Sequence, residues 1–126
     1  MQKAAKYDIE ERLLAFAVRV IRVTETMIRS RAGTHVADQL LRAGTSPFGI
    51  HGEAEGAESR ADFIHKLRLC YKELRESRRW LRLVQEARLV ARPELLQPLI
   101  TEAGELVLIF AASIRTAAAN RTQDST

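Results

Sequence analysis

The stretch FIHKLRLCYKELRESRRWLRLV, residues 63–84, decides the fold of this chain. Its apolar and small side chains recur at alternating steps of four and three residues, a heptad spacing that places one narrow seam along a long helix. The seam consists of Phe63, Leu67, Cys70, Leu74, Ser77, Leu81 and Val84. Ser59 and Asp62 have the spacing of a capping box, so the pattern predicts a helix from there to about Leu89.

A first helix is predicted to begin at Asp8, because Asp8 and Glu11 also have the spacing of a capping box. Gly33 is predicted to end this helix with a positive φ angle. Its apolar stripe is formed by Ile9, Leu13, Phe16, Val20 and Met27, and is widened toward a core face by Leu14, Ala17, Ile21 and Ile28.

A second helix is predicted from about Thr34 to about Glu55, with a kink at Pro47, which lacks an N–H and crowds the carbonyl of Ala43. Its inward side chains are Val36, Leu40 and Leu41. A fourth helix is predicted to open at Pro93, a residue favoured at the first helical position. Its apolar face is formed by Leu96, Leu99, Ala103, Leu106, Phe110 and Ile114.

The composition agrees with an all-α domain. The chain has 126 residues, the usual size of one domain, and 46% of them are hydrophobic. Three prolines and six glycines are too few for the many tight turns of an all-β fold. We therefore predict an antiparallel up-and-down four-helix bundle over residues 1–121, followed by a disordered polar tail over residues 122–126.

Several classes of site and location are disfavoured by the sequence. Cys70 is the single cysteine, which excludes an internal disulfide and a metal site built from cysteines. The N-terminal residues lack the apolar segment of a signal peptide, and no apolar run approaches the roughly 18 residues needed to span a bilayer. There is no glycine-rich phosphate loop. We expect a cytoplasmic protein with no cofactor, no metal and no membrane contact.

The charge balance is basic, with 20 Lys and Arg against 16 Asp and Glu, a net charge of +4 and a pI of about 9.7. A pI above about 9 is one indication of nucleic-acid binding. Five cations recur by four and three residues nearly opposite the apolar seam, where they could follow a phosphate backbone. This cationic stripe consists of Arg68, Lys72, Arg75, Arg79 and Arg82.

The stripe also has a simpler interpretation. A charged helix face is usually solvated surface, and the neighbouring Glu73 and Glu76 would screen the outer arginines. No aromatic residue interleaves the stripe, so base stacking on it is not expected. Phosphate contacts without base specificity are the function that this pattern favours.

A second apolar side of the third helix is formed by Leu69, Trp80 and Leu83. A monomeric bundle does not need a second apolar side, and tryptophan is enriched in the buried centres of interfaces. These three residues are therefore predicted to form a subunit contact. The alternative is that Trp80 covers an edge of its own bundle, as large amphipathic side chains often do.

The histidines give little support to a catalytic or metal site. Asp62 and His65 have the spacing of one half of a dimetal carboxylate site, but the sequence contains no second copy of the motif. Arg60 and His65 have the Arg-x4-His spacing of some helical ribonucleases. That activity would require the two residues to pair across a dimer cleft, and no pocket is evident in the sequence.

The chain resembles the bacterial four-helix-bundle family that includes the protein of the intervening sequence of some 23S ribosomal RNA genes. The resemblance is carried by YDIEERLLAFAVRV (7–20), QLLRAGTS (39–46), Glu53-Ala54, AESRADFIHKLRL (57–69) and KELRESRRWLRLV (72–84). It implies a homo-oligomer, usually a pentameric ring. Relatives include accessory proteins of diversity-generating retroelements, which bind nucleic acid and a reverse transcriptase through basic surfaces.

The chain departs from the family in the second helix, where Ser46-Pro47-Phe48-Gly49-Ile50 replaces Ser-Ile-Gly-Ala-Asn, so the contact made by that Asn is absent. Three interpretations of the function follow from the residues and the resemblance together. The first is a non-enzymatic homo-oligomeric scaffold that binds RNA, DNA or a nucleoprotein partner through its basic surface. The alternatives are a helical ribonuclease using Arg60 and His65, or a purely structural oligomer.

Overall fold

Four long α-helices form the chain, whose computed structural model describes residues 2–124 and the side chains of residues 9–120. The helices are α1 (Gln2–Thr26), α2 (Arg31–Glu55), α3 (Arg60–Glu86) and α4 (Gln97–Asp124), and a 3₁₀ turn, Pro93–Leu96, precedes α4. Short connections reverse the chain between them, and each helix packs against two neighbours in the cyclic order α1, α2, α3, α4. The predicted antiparallel up-and-down four-helix bundle is confirmed.

The seam of α3 lies in the centre of the core, as its heptad spacing predicts. Leu67, Cys70, Leu74, Leu81 and Val84 are buried among side chains of the other helices. Ser77 is the one buried polar residue of this seam, and its hydroxyl donates to the Glu73 carbonyl at 2.7 Å. At the start of the helix Phe63 is half-buried, and Ile64 is buried beside it.

The start and end of α1 differ from the prediction. The helix begins at Gln2 rather than Asp8, because the preceding residues, QKAAK, are good helix formers and need no cap at Asp8. It ends at Thr26, and Ser30 caps α2 by accepting a hydrogen bond from the Gly33 N–H at 3.0 Å.

Gly33 therefore lies in the first turn of α2 and does not have the predicted positive φ. A Cβ atom at this position would overlap the backbone carbonyl of Ile28. Glycine is needed here because two stretches of backbone approach closely, and a positive φ angle plays no part.

Several large apolar side chains that were predicted to face the core are exposed. Leu14, Ile21, Ile28 and Leu41 are between 37% and 50% exposed, because the narrower stripes on α1 and α2 already fill the core. Val18 and Phe48 are exposed to a similar degree. We call the set on the two helices the α1–α2 apolar surface; it consists of Leu14, Val18, Ile21, Leu41 and Phe48.

Helix α2 continues through Pro47 to Glu55, as predicted. Pro47 is buried, and the hydroxyls of Thr45 and Ser46 donate to carbonyls one turn earlier in the helix, at 2.7 and 2.6 Å. Ile50, which replaces the polar residue of the family pattern, is half-buried and packs against the core.

Helix α3 ends at Glu86, three residues before the predicted end. Arg88 has a φ of 56°, and the Leu89 N–H turns back to the Val84 carbonyl at 3.0 Å, which closes the helix. The Leu89 carbonyl accepts from the Ile28 N–H at 2.9 Å, which joins two connections at one end of the bundle.

Helix α4 is longer and more apolar than predicted from the sequence. It continues to Asp124, because no glycine or proline stops it at residue 121; the remaining two residues of the predicted tail lie outside the described range. Within Pro93–Asn120 an 18-residue window has a mean hydropathy of 1.5, so by length and composition alone this helix could cross a membrane. In this structure it is the fourth core helix, with Leu99, Leu106 and Phe110 buried.

Arg12 links α1 to α4, the pair of neighbouring helices with the smallest packed contact. Its Nε and Nη2 atoms donate to the two oxygens of Glu102 at 3.0 and 2.7 Å, and Nη2 also donates to Glu105 at 2.9 Å. The hydrogen bonds to Glu102 raise the pKa of Arg12 more than its burial lowers it.

Candidate nucleic-acid interface

The outer face of α3 carries the predicted cationic stripe. All five of its residues are exposed, as their position opposite the buried seam requires. Within the described side chains, no carboxylate lies within 4.0 Å of any of the five charged groups. Over the fourteen residue steps from Arg68 to Arg82 the stripe extends about 21 Å along the helix.

Glu73 and Glu76, the two acidic residues beside the stripe, both form ion pairs with a residue of α2. Arg42 on α2 donates to Glu73 at 3.0 Å and to Glu76, and Trp80 donates its indole N–H to the same Glu76 oxygen at 3.0 Å. Burial lowers the pKa of Arg42, but the charges of Glu76 and Glu73 outweigh it and the net pKa is raised. The predicted screening of the stripe by these two carboxylates is therefore reduced by an internal counter-charge.

A groove of about 550 Å³ runs between α3 and α4 beside the stripe. One wall is formed by Arg75, Arg78, Arg79 and Arg82 of α3, and the other by residues of α4 that include Gln97, Thr101, Gly104 and Leu108. Arg78 was not part of the predicted stripe, because it lies on the flank of α3 that faces α4. Arg78 contributes to the groove only because α4 lies beside it, and the periodicity of α3 alone does not show where α4 lies.

An aromatic residue does adjoin the stripe. The guanidinium carbon of Arg75 lies 5.5 Å from the centre of the Tyr71 ring, within the range of a cation–π contact. Tyr71 is half-buried and packs against the core. Periodicity does not predict this contact, because Tyr71 lies on the α4 side of the stripe and not within its repeat. The pair holds the Arg75 guanidinium on the surface of α3.

The three residues of the predicted subunit contact differ in how far they are exposed. Trp80 is half-buried against the core, and its ring lies edge-on to the His35 ring of α2 with centroids 6.3 Å apart. Leu69 is half-buried, whereas Leu83 is 44% exposed. Trp80 thus covers the α2–α3 edge of its own bundle, and Leu83 is the member of the set most available to another subunit.

Arg60 and His65 are not brought together within the chain. Five residues of α-helix separate them by about 140° around the axis. Arg60 lines a cavity of about 930 Å³ at the end of the bundle, together with His51 and Phe110, and His65 does not line this cavity. Among the described residues no group of three or more His, Cys, Asp or Glu could hold a metal ion.

Cys70 is a small buried side chain, as expected from its place on the seam. Its thiol lies 3.6 Å from the Pro47 carbonyl. Burial, and then the negative charge of Glu53, raise the pKa of Cys70 to about 12. A thiol that is protonated and buried is a poor nucleophile, so Cys70 offers no chemistry at this surface.

Comparisons with known proteins agree with the fold and the sequence motifs. A crystal structure of a protein of unknown function from the S23 ribosomal protein family of Bacteroides thetaiotaomicron VPI-5482 is 31% identical, with a TM-score of 0.76. The match covers 84% of this chain and 97% of that one. No curated protein matches. The sequence model of the 23S rRNA-intervening sequence protein family matches residues 5–111, and the chain therefore belongs to that family.

Proposed function

We propose that this protein is a non-enzymatic homo-oligomeric scaffold that binds RNA or DNA through the cationic stripe of α3. The observation that carries the proposal is the combination of five exposed cations without a carboxylate partner and two neighbouring glutamates that are engaged by Arg42. On a helix face with charges of alternating sign, such cations would pair with neighbouring carboxylates instead.

The chemistry of the stripe suits phosphate rather than base recognition. Arginine and lysine side chains on an exposed helix can each neutralise a phosphate and release a counterion, which favours binding at low salt. Contacts of this kind position the protein on the backbone and carry no sequence information. Binding is therefore weak per subunit and tolerant of sequence.

Assembly would strengthen this binding. The α1–α2 apolar surface and Leu83 expose large apolar side chains that a second copy of the chain can cover. A closed homo-oligomer, five subunits by the family resemblance, repeats the stripe around a ring. Contacts from several subunits to one strand then add through effective concentration.

The ribonuclease alternative requires Arg60 and His65 of two subunits to meet across a dimer cleft, and the proposed scaffold does not use such a pairing. General acid–base cleavage of RNA needs both groups within reach of one phosphate, and one chain does not provide that. A protein partner, if present, would bind the same scaffold.

The proposal is tested by a salt titration of a labelled RNA oligonucleotide with wild-type protein and with Arg75→Glu/Arg79→Glu. The wild type is expected to bind at low salt and to lose affinity steeply as salt rises, and the double variant is expected to lose binding while keeping its helicity. Arg19→Glu/Arg22→Glu makes the same change of charge on exposed positions of α1 and is expected to retain most of the affinity.

Equal binding by the wild type and the stripe variant would contradict the proposal, as would no binding by the wild type at low salt. The same samples, run on a denaturing gel, test the absence of catalysis. Cleavage that disappears with His65→Ala would establish the ribonuclease instead.

A further inference from the structure

We propose that the groove between α3 and α4 holds an unpaired nucleotide, so that the scaffold selects single-stranded RNA or DNA over a duplex. This inference rests on the proposed nucleic-acid function and specifies its substrate class. It follows from what the groove contains besides its arginines.

Leu108 is the first unusual feature of the groove. It is 70% exposed, more than any other large hydrophobic side chain of the described residues, and it lies opposite four arginines. Val107 lines the groove beside it. A stripe that bound only the phosphates of a duplex would gain nothing from an apolar side chain at this place. An unpaired base, in contrast, has an apolar face that Leu108 can cover.

The arginines of the groove provide the second part of a binding site for an unpaired base. Guanidinium planes stack on unpaired bases as well as bonding to phosphates. Gly104 presents no side chain on the α4 wall, and the Arg78 guanidinium lies beside it, with Nε 3.5 Å from where a Cβ atom would be. Arg75, Arg79 and Arg82 continue along the outer face, where the backbone phosphates of the same strand would lie.

Polar groups in the groove can form hydrogen bonds with the edge of a base. The Thr101 hydroxyl and the Gln97 amide line it, and Gln97 Oε1 lies 3.4 Å from the Gln85 amide nitrogen, which leaves its own N–H groups for a ligand. Glu105 also lines the groove, but its carboxylate accepts a hydrogen bond from Arg12 at 2.9 Å. The charge of the groove is therefore dominated by its arginines.

The dimensions of the groove favour the same ligand. Its volume of about 550 Å³ is that of a site for a small molecule, and it matches one nucleotide rather than a base-paired helix. A duplex would lie across the outer arginines and leave the groove and Leu108 uncovered. The preference for a single strand is the free energy gained when a base enters the groove.

The test compares oligo(dT) and oligo(rU) with the corresponding duplexes by fluorescence anisotropy at constant low salt. Wild-type protein is expected to bind each single strand about fivefold or more tightly than its duplex, a ratio that corresponds to about 1 kcal/mol. Leu108→Ser is expected to remove this preference and to leave duplex binding unchanged. Leu95→Ser is the matched control, because Leu95 is 59% exposed and does not line the groove.

The outcomes separate this inference from the function on which it rests. If Arg75→Glu/Arg79→Glu abolishes binding but the wild type binds duplex as tightly as single strand, the inference is wrong and the function stands. If the stripe variant binds like the wild type, the function itself is wrong. If Leu108→Ser dissociates an oligomer in light scattering, Leu108 is covered by a second copy of the chain, and the groove is not a nucleotide site.

Discussion

Gly44 allows α1 and α2 to approach closely, because the fully buried Val20 packs onto it from α1. A Cβ atom at position 44 would lie 2.6 to 3.0 Å from three side-chain atoms of Val20, whose β-branched side chain is stiff. We expect Gly44→Ala to lower the free energy of unfolding by about 2 kcal/mol, the usual cost of overpacking a core. Urea denaturation of both proteins at a fixed concentration measures this change in the free energy of unfolding.

Gly49 provides the control for this substitution within the same helix. A Cβ atom at Gly49 would have no neighbour within 4 Å, so Gly49→Ala should stabilise the helix by about 0.5–1 kcal/mol. If both substitutions change stability by the same amount and in the same direction, helix propensity explains the effect and the contact with Val20 does not.

Single residues show where reasoning from the sequence succeeds and where it fails. The burial of Cys70 and the exposure of Arg75 follow from one helical repeat, which the sequence displays directly. Gly33 was assigned to the end of the first helix because glycine is common there, whereas its reason is the Ile28 carbonyl. A close approach between two stretches of backbone becomes visible only in three dimensions.

At the scale of the helices, α2 supplies the counter-charge that keeps α3 basic. Arg42 lies 31 and 34 residues from its partners Glu73 and Glu76, so no spacing rule within one helix predicts the contact. The sequence could predict the stripe but not whether its acidic neighbours screen it. The same limit applies to Arg78, whose role depends on α4.

We expect Arg42→Ala to weaken RNA binding about two- to fivefold at low salt, because it removes the counter-charge of two carboxylates beside the stripe. Arg22→Ala removes the same charge from an exposed position on α1 without releasing a carboxylate, and it should have a smaller effect. Anisotropy titrations of the two variants at several salt concentrations measure the difference. Identical titrations would show that Glu73 and Glu76 do not influence the stripe.

At the scale of the whole molecule, the exposed apolar side chains predict self-association. Light scattering at micromolar concentration should give a mass several times 14.2 kDa. Leu83→Glu should lower that mass, because it places a charge in the predicted contact. Trp80→Ala should instead lower the stability of the bundle, because its ring packs against the core and His35 of the same chain.

The control is Ile21→Glu on the α1–α2 apolar surface. Dissociation by Ile21→Glu, with Leu83→Glu still assembled, would move the subunit contact from α3 to that surface. A monomeric wild type at this concentration would contradict self-association on either surface, and with it the gain in affinity from a repeated stripe.

The uneven contact between neighbouring helices determines the order in which the bundle opens. Pairs with little packing open in local fluctuations before the molecule unfolds as a whole. The α1–α4 pair has the smallest contact and is held across its edge by Arg12, whereas α2 and α3 form the most extensive pair. Since α4 also packs extensively on α3, we expect the amide protons of α1 to exchange with solvent first. The cationic stripe then lies on the half of the protein that keeps its structure longest.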